Sequence, residues 1–151
     1  MKKEYLAFLC CPECGKDLII KEVTEEKSGK IMKGKLECTG CQKQYPIRLA
    51  VPRFVESSDY ADSFGPQWKA FAKSQIDTPE LQESALRFDT EMYWTTDEIK
   101  GKNIVEFGSG AGRFIDVVSK KSAALVVGLD ITDAVDASQE NLGDRENVFF
   151  I

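Results

Sequence analysis

Two constellations in this chain have residue types and spacings that could do chemistry. The first is a set of four cysteines, Cys11-Pro12-Glu13-Cys14 and Cys38-Thr39-Gly40-Cys41, with 23 residues between the pairs. A two-residue gap lets both thiolates of a pair bind one ion, and two such pairs form the donor set of tetrahedral zinc. Four thiolates leave no open coordination position, so the expected role of a metal at Cys11, Cys14, Cys38 and Cys41 is structural. Gly15 and Gly40 are expected to relieve the tight turns. Disulfides are the alternative, but nothing in the sequence marks it for secretion. Cys10 follows the apolar run Tyr5-Leu6-Ala7-Phe8-Leu9 and is expected to be a packed thiol.

The second constellation is a glycine turn between two acids. Ile104 to Phe107 reads as a buried parallel strand, and Gly108, Gly110 and Gly112 then remove every other Cβ from the turn. A ligand can approach such a backbone closely, and a helix starting near Gly112 can point free N–H groups at it. Asp130 closes a second apolar strand, Leu125 to Leu129, where a carboxylate can accept hydrogen bonds from ribose hydroxyls. The loop reads G-x-G-x-G rather than the dinucleotide G-x-G-x-x-G/A, and Glu106 stands two residues before its first glycine. A pyrophosphate has no use for that acid, whereas an ammonium or sulfonium group does. The plain alternative is an ordinary strand-to-helix turn with Asp130 capping the next helix, a task Thr132 or Asp133 could equally perform.

Residues 106–112, acid-x-G-x-G-x-G, together with Asp130, resemble the class I methyltransferases that use S-adenosylmethionine. The resemblance implies that Glu106 and the backbone of Gly108, Ser109, Gly110 and Gly112 face the methionine part of the cofactor. It places Asp130 on the ribose and Ile131 beside the adenine, and it implies a sheet of order 3-2-1-4-5. A nicotinamide enzyme is the competing assignment. Residues 11–54, with Gln44-Tyr45-Pro46-Ile47 and Val51-Pro52-Arg53-Phe54, resemble the small zinc-ribbon family that includes the activator subunit of tRNA and protein methyltransferases. In that family the ribbon works in trans on a separate catalytic chain. Phe64-Gly65-Pro66-Gln67-Trp68, between a ribbon and a methyltransferase-like unit, resembles a segment of a group of bacterial methyltransferase-domain proteins.

These sites must be positioned by a chain of 151 residues, room for one ordinary domain or a small one plus a fragment. The expected plan is a zinc ribbon over 1–56, a helical connector over 57–100 and the first half of a Rossmann-like domain over 101–151. In the ribbon, Leu18-Ile19-Ile20 and Val23 read as one strand, Lys27-Ser28-Gly29-Lys30 as a turn and Leu36 as part of the return. In the connector, Ser58-Asp59 can open a helix bearing Tyr60, Phe64, Trp68 and Phe71. A second helix, capped by Thr78 with Pro79 in its first turn, would carry Leu81, Ala85, Phe88 and Met92. The aromatic residues are expected to form a core; a bolder reading makes Tyr60, Phe64 and Trp68 a lid. After Asp130 a helix over about 133–142, a stop at Gly143 and a third strand over 147–151 complete the pattern.

Charge and hydropathy narrow the partners. Residues 1–56 carry 11 Lys or Arg against 8 Asp or Glu, and residues 57–151 carry 9 against 17. No basic face is evident, so a nucleic-acid partner is disfavoured; Lys27, Lys30, Lys33 and Lys35 are expected to decorate a solvated hairpin. No apolar run is long enough for a bilayer, and a soluble, cytoplasmic protein is expected. The fold class expected is α/β: a small β ribbon, a helical connector and about three parallel strands, the first left as an apolar edge able to recruit a second copy or a partner chain.

The function expected is the amino-terminal part of an S-adenosylmethionine-dependent methyltransferase, itself inactive, because in the family the acceptor pocket and most catalytic groups follow the third strand. The alternative is a non-catalytic zinc-ribbon module that binds and stabilises a partner methyltransferase. The methyl acceptor, a small molecule or a macromolecule, is unspecified, and no catalytic residue is assigned. The chain has no histidine, so a base would have to be a carboxylate, tyrosine, lysine or cysteine.

Overall fold

The computed structural model describes residues 1–55 and 71–151. The chain divides into two compact units, residues 1–56 and 57–150. The helix expected around Tyr60, Phe64 and Trp68, and with it the lid, lies outside the described residues; Phe71, its last member, is exposed.

The first unit opens with a 3-10 helix, Lys3–Phe8, and continues into an antiparallel sheet of order β1-β2-β3-β4: β1 Leu18–Lys27, β2 Lys30–Cys38, β3 Gln44–Arg48 and β4 Val51–Pro52. The β1–β2 hairpin closes through Ser28 and Gly29, both at positive φ, 50° and 74°, as a two-residue turn with the twist of its strands requires. Along β2 and β3 alternate side chains turn inward, so that Ile31, Leu36, Tyr45 and Ile47 meet Leu18, Tyr5 and Val51 in a small core. Three lysines of the hairpin are matched by acids: Lys33 with Glu25 at 2.7 Å, Lys35 with Glu22 at 3.4 Å and Lys21 with Glu37 at 3.0 Å. Exposed pairs of this kind contribute little to stability, but they interleave acids with these lysines along the two strands.

The second unit is a three-stranded parallel sheet, order β5-β6-β7, with its crossover helices. Its elements are α1 Glu83–Glu91, α2 Thr96–Ile99, β5 Asn103–Phe107, α3 Arg113–Lys120, β6 Leu125–Leu129, α4 Ala134–Leu142 and β7 Val148–Phe150. This is the 3-2-1 portion of the expected order. β6 is the central strand and is buried along four of its five residues. β5 pairs only with β6 among the described residues, and its Val105 and Phe107 are 50% and 81% exposed.

The helix ends depart from the sequence reading in one instructive place. Thr78 was expected to cap α1; instead α1 begins at Glu83, and both carboxylate oxygens of Asp77 reach into its first turn, accepting from the N–H groups of Ser84 (2.9 Å) and Ala85 (2.8 Å). Burial opposes ionisation of Asp77, but those two N–H groups outweigh it and hold the carboxyl below its ordinary range. Thr78 Oγ1 accepts from Leu81 N–H at 3.2 Å, closing a short turn, and Leu81 and Met92 are exposed while Phe88 is buried. Sequence periodicity found the helix, but a cap reached over a loop has no local signature. Further along, the buried carboxylate of Asp116 on α3 pairs with Arg145 and with Lys120 at 2.8 Å. Asn147 Nδ2 donates to the carbonyls of Ser119 (3.0 Å) and Ala123 (3.1 Å), closing the far end of α3.

Candidate functional site

The two C-x-x-C segments fold as near copies of one another. In each, the first cysteine N–H bonds to a carbonyl five residues on, Cys11 to Lys16 at 2.8 Å and Cys38 to Lys43 at 2.9 Å. In each, the residue four places on closes back on the cysteine carbonyl, Gly15 to Cys11 at 2.8 Å and Gln42 to Cys38 at 3.1 Å, and both closing residues sit at positive φ, 70° and 62°. Gly15 therefore has the role expected of it. Gly40 does not relieve a left-handed turn; a Cβ there would meet Lys16 Cγ at 2.8 Å, so it lets the knuckles approach.

The four sulfurs lie within 4.8 Å of one another, with Cys14–Cys38 at 3.4 Å and Cys11–Cys41 at 3.6 Å. Zinc–sulfur bonds of about 2.3 Å in a tetrahedron require sulfur separations of about 3.8 Å, and the cluster brackets that value. Burial opposes ionisation of Cys11, but the Tyr45 hydroxyl and the backbone N–H groups of Cys14 and Glu13 bring its thiol down to about 6. Cys41, favoured by the Lys43 N–H, is nonetheless pushed up to about 12 by burial and by the neighbouring sulfurs. Four thiolates this close cannot all carry charge without a cation among them, and the set matches a closed, structural zinc site. Cys10 stands apart. It is exposed rather than packed, because its bridge to Asp17 places it outside the knuckle loop.

The glycine corner lies in the second unit. Gly108, Gly110 and Gly112 all sit at positive φ (74°, 52° and 88°), a region that costs an L side chain about 1–2 kcal/mol. They serve different purposes. A Cβ at Gly108 would meet nothing within 4 Å, so the space over the first glycine is open, whereas one at Gly112 would meet Leu142 Cδ1 at 2.7 Å. Gly108 and Ser109 donate their N–H groups to Leu129 O at 2.8 and 3.0 Å, tying the loop to the end of β6. Gly110 donates to Asp130 Oδ2 at 2.8 Å. Asp130 Oδ1 accepts from the N–H and hydroxyl of Thr132 at 2.9 and 2.7 Å. Thr132 Oγ1 in turn takes the N–H of Ala134, the first residue of α4, whose N-cap position, Asp133, makes no side-chain capping bond, and Asp130 is turned across to the loop.

Seven residues singled out in the sequence thus meet at one corner: Glu106, Gly108, Ser109, Gly110, Gly112, Asp130 and Ile131. Ile131 is exposed beside Asp130. Ser109 is buried and its Oγ has no hydrogen-bond partner among the described residues; a Cβ on Gly128 would lie 2.9 Å from it, which places the hydroxyl under the loop against β6. Glu106 receives the N–H of Ile115 in the first turn of α3, yet burial, reinforced by the charge of Asp130, pushes its carboxyl up to about 7. Arg113, the cation next to the loop in sequence, directs its Nε to Ser84 Oγ at 3.0 Å.

Two residues of the corner escaped sequence reasoning. The buried Ser138 donates its hydroxyl to Gly110 O, and Asn141 Nδ2 donates to Ala111 O at 3.1 Å and Ala72 O at 2.7 Å. Spaced three apart, they share one face of α4 and hold the loop by its carbonyls. The available signal was a pair of polar residues at helical spacing on a face that otherwise carries Ala134, Val135 and Leu142 inward.

Among solved structures the chain resembles phosphoethanolamine N-methyltransferase 1 of Haemonchus contortus, in complex with phosphoethanolamine and S-adenosylhomocysteine, at 23% identity over 64% of this chain and 22% of that one, with a TM-score of 0.40. It also resembles PH1948 from Pyrococcus horikoshii, whose assignment as an RNA methyltransferase is provisional, at 21% identity over 55% of this chain and 48% of that one, with a TM-score of 0.39. The chain therefore spans less than half the length of either. Likeness at this level carries no argument about chemistry. No curated protein matches the chain. The first unit carries a zinc ribbon similar to the Trm112p-like protein family, whose model matches residues 2–48, the span holding all four metal-site cysteines.

Proposed function

We propose that the second unit binds S-adenosylmethionine and that the chain is a zinc-ribbon-bearing part of a methyltransferase. The supporting observation is the meeting of two carboxylates at one glycine corner: Asp130 bonded to Gly110 N–H at 2.8 Å, and Glu106 at the first turn of α3 with its carboxyl raised by burial and by Asp130. Neither acid forms an ion pair among the described residues. Two neighbouring carboxylates repel a pyrophosphate and attract a cation, and S-adenosylmethionine carries a sulfonium and an ammonium group. In this reading the Glu106 carboxylate takes the ammonium group, and the backbone of Gly108, Ser109, Gly110 and Gly112 lets the methionine part approach. Asp130 retains lone pairs for ribose hydroxyls beyond those used by Gly110 and Thr132, and exposed Ile131 lies against the adenine. Bound there, the cofactor supplies an electrophilic methyl group to an in-line acceptor. The division into ribbon (1–56), connector (57–100) and cofactor-binding half (101–151) belongs to the same proposal.

Titration calorimetry with S-adenosylhomocysteine and with NAD tests it. Binding of the first and not the second is the expected result, with Asp130→Ala weakening it at least tenfold. Tighter binding of NAD would sink the reading.

A second reading rests on β5. Its outer edge has no strand beside it among the described residues, and Val105 and Phe107 are exposed on it. Such an edge fits a module that pairs with another chain, a partner methyltransferase or a second copy. No helix among the described residues is long and apolar enough to cross a membrane. Light scattering of the parent and of Val105→Lys separates the cases: an assembly lost on substitution supports edge pairing, and a monomer in both excludes self-association.

A further inference from the structure

The four sulfurs of the metal cluster are not held alike. Cys38 Sγ accepts the N–H groups of Gly40 at 3.3 Å and Cys41 at 3.4 Å, contacts made within its own knuckle. Cys11 Sγ has a partner from farther away, the hydroxyl of Tyr45, 34 residues on, at 3.1 Å. Tyr45 lies on β3, paired with Leu36 of β2, and is buried with its ring 4.9 Å from that of Phe54. A phenylalanine would supply that packing equally well. The hydroxyl is the extra feature, and a phenol buried among apolar side chains is costly unless its O–H finds an acceptor. In a metal-bound cluster Cys11 has lost its proton, so only one direction remains for this contact: the tyrosine O–H donates and the thiolate accepts.

We propose that Tyr45 is a positioning residue of the zinc centre, donating a hydrogen bond to the Cys11 thiolate. The bond fixes the χ1 setting of Cys11 before the metal arrives and draws off part of the thiolate charge once it is bound. It also joins the strand that follows the second knuckle to a ligand of the first, so the two halves of the site are aligned by the protein and not by the ion alone. Outer partners of metal ligands commonly change metal affinity by about 10- to 100-fold when removed, and the effect expected here lies in that range. The proposal rests on zinc occupying the four-cysteine cluster, and the experiment separates the two claims.

The test compares the full chain with its Tyr45→Phe variant, loaded with zinc and, separately, with cobalt. Parent protein binding one zinc through four thiolates is the precondition; failure of the parent to bind overturns the zinc reading and this proposal together. With the parent binding, the variant should hold zinc about 10- to 100-fold more weakly in chelator competition, and its sulfur-to-cobalt charge-transfer bands should move to longer wavelength, because a thiolate without its hydrogen bond is easier to oxidise. Loss of packing alone does not move those bands. Equal affinity and superimposable cobalt spectra in the two proteins overturn the proposal while leaving the zinc site intact. Should Tyr45→Phe fail to fold, the parent answers the question: in the cadmium-loaded protein the Tyr45 hydroxyl proton should be protected from exchange and show a cross-relaxation contact to the Cys11 methylene. A hydroxyl exchanging at the rate of a free phenol overturns the proposal.

Discussion

Replacing Glu106 by glutamine should make the second unit more stable at pH 8 and leave it unchanged at pH 4.5. The carboxyl is pushed from its ordinary 4.5 up to about 7, by burial first and by the charge of Asp130 second, against the pull of the Ile115 N–H. Between those two values the folded chain binds a proton that the unfolded chain has lost, so stability falls as pH rises from 4.5 to 7, and the whole penalty stands above 7. At about 1.4 kcal/mol per pKa unit, the penalty is about 3 kcal/mol, reduced by whatever solvent the half-buried carboxylate keeps. Glutamine retains an oxygen for the Ile115 N–H and removes the charge. Both tryptophans, Trp68 and Trp94, belong to residues 57–150, so tryptophan fluorescence during urea unfolding reports on this unit. The variant should gain about 1–3 kcal/mol at pH 8, and the gain should vanish toward pH 4.5. The same change should weaken S-adenosylhomocysteine binding. If Glu106 served only to cap α3, glutamine would lower stability at pH 8 instead, and that outcome refutes the reasoning.

Three further perturbations probe the rest of the molecule. Arg145→Ala strips the buried Asp116 carboxylate of its guanidinium, leaves it the Lys120 ammonium, and should cost about 1.5–3 kcal/mol in urea unfolding, with Asp116→Asn in the same background recovering part of the loss. Chelation of the metal should abolish hydrogen-exchange protection in β1 to β4, since the ribbon's core is small and structural zinc contributes on the order of 10–16 kcal/mol to such folds; protection surviving in metal-free protein would show that packing suffices. Gly108→Ala and Gly112→Ala should part company. The second places a methyl group 2.7 Å from Leu142 Cδ1 at a φ of 88° and should cost about 2–4 kcal/mol, whereas the first meets open space, costs only about 1–2 kcal/mol of backbone strain, and should lower ligand affinity disproportionately in calorimetry.

What could be read from the sequence was set by how local its physical cause is. The metal cysteines were legible because a C-x-x-C knuckle is built within six residues, as the matching bonds Cys11 N–Lys16 O and Cys38 N–Lys43 O make plain. β6 was legible to the residue because a strand buried on both faces is an unbroken apolar run. The cap of α1 was not: Asp77 reaches Ser84 over a loop, and Thr78 with Pro79 imitated a cap that local rules prefer. Ser138 and Asn141 were hidden for a similar reason, since their acceptors, Gly110 O and Ala111 O, belong to an element 28 and 30 residues away. Cys10 was expected to be packed because it follows apolar residues, but Leu6, Phe8 and Leu9 sit in and after a 3-10 turn that leaves Phe8 57% exposed and buries only Tyr5.

The treatment of buried charge within the second unit separates support from site. Asp116 lies on α3 with its carboxylate matched by Arg145 and Lys120, and Arg145 also takes the Asp116 carbonyl at 2.9 Å. That acid is neutralised by design of the fold and holds α3 in place. Glu106 and Asp130 stand at the glycine corner that leads into the same helix, and among the described residues their bonds come from neutral donors: Ile115 N–H, Gly110 N–H and the N–H and hydroxyl of Thr132. One helix thus carries in its first turn a carboxylate matched by cations, Asp116, and faces two acids that form no ion pair among the described residues, while Arg113, next to the loop in sequence, is directed to Ser84. One buried acid in this unit is paired with two cations while its two neighbours at the glycine corner are left to neutral donors, and under the proposed function a cationic ligand would answer that difference.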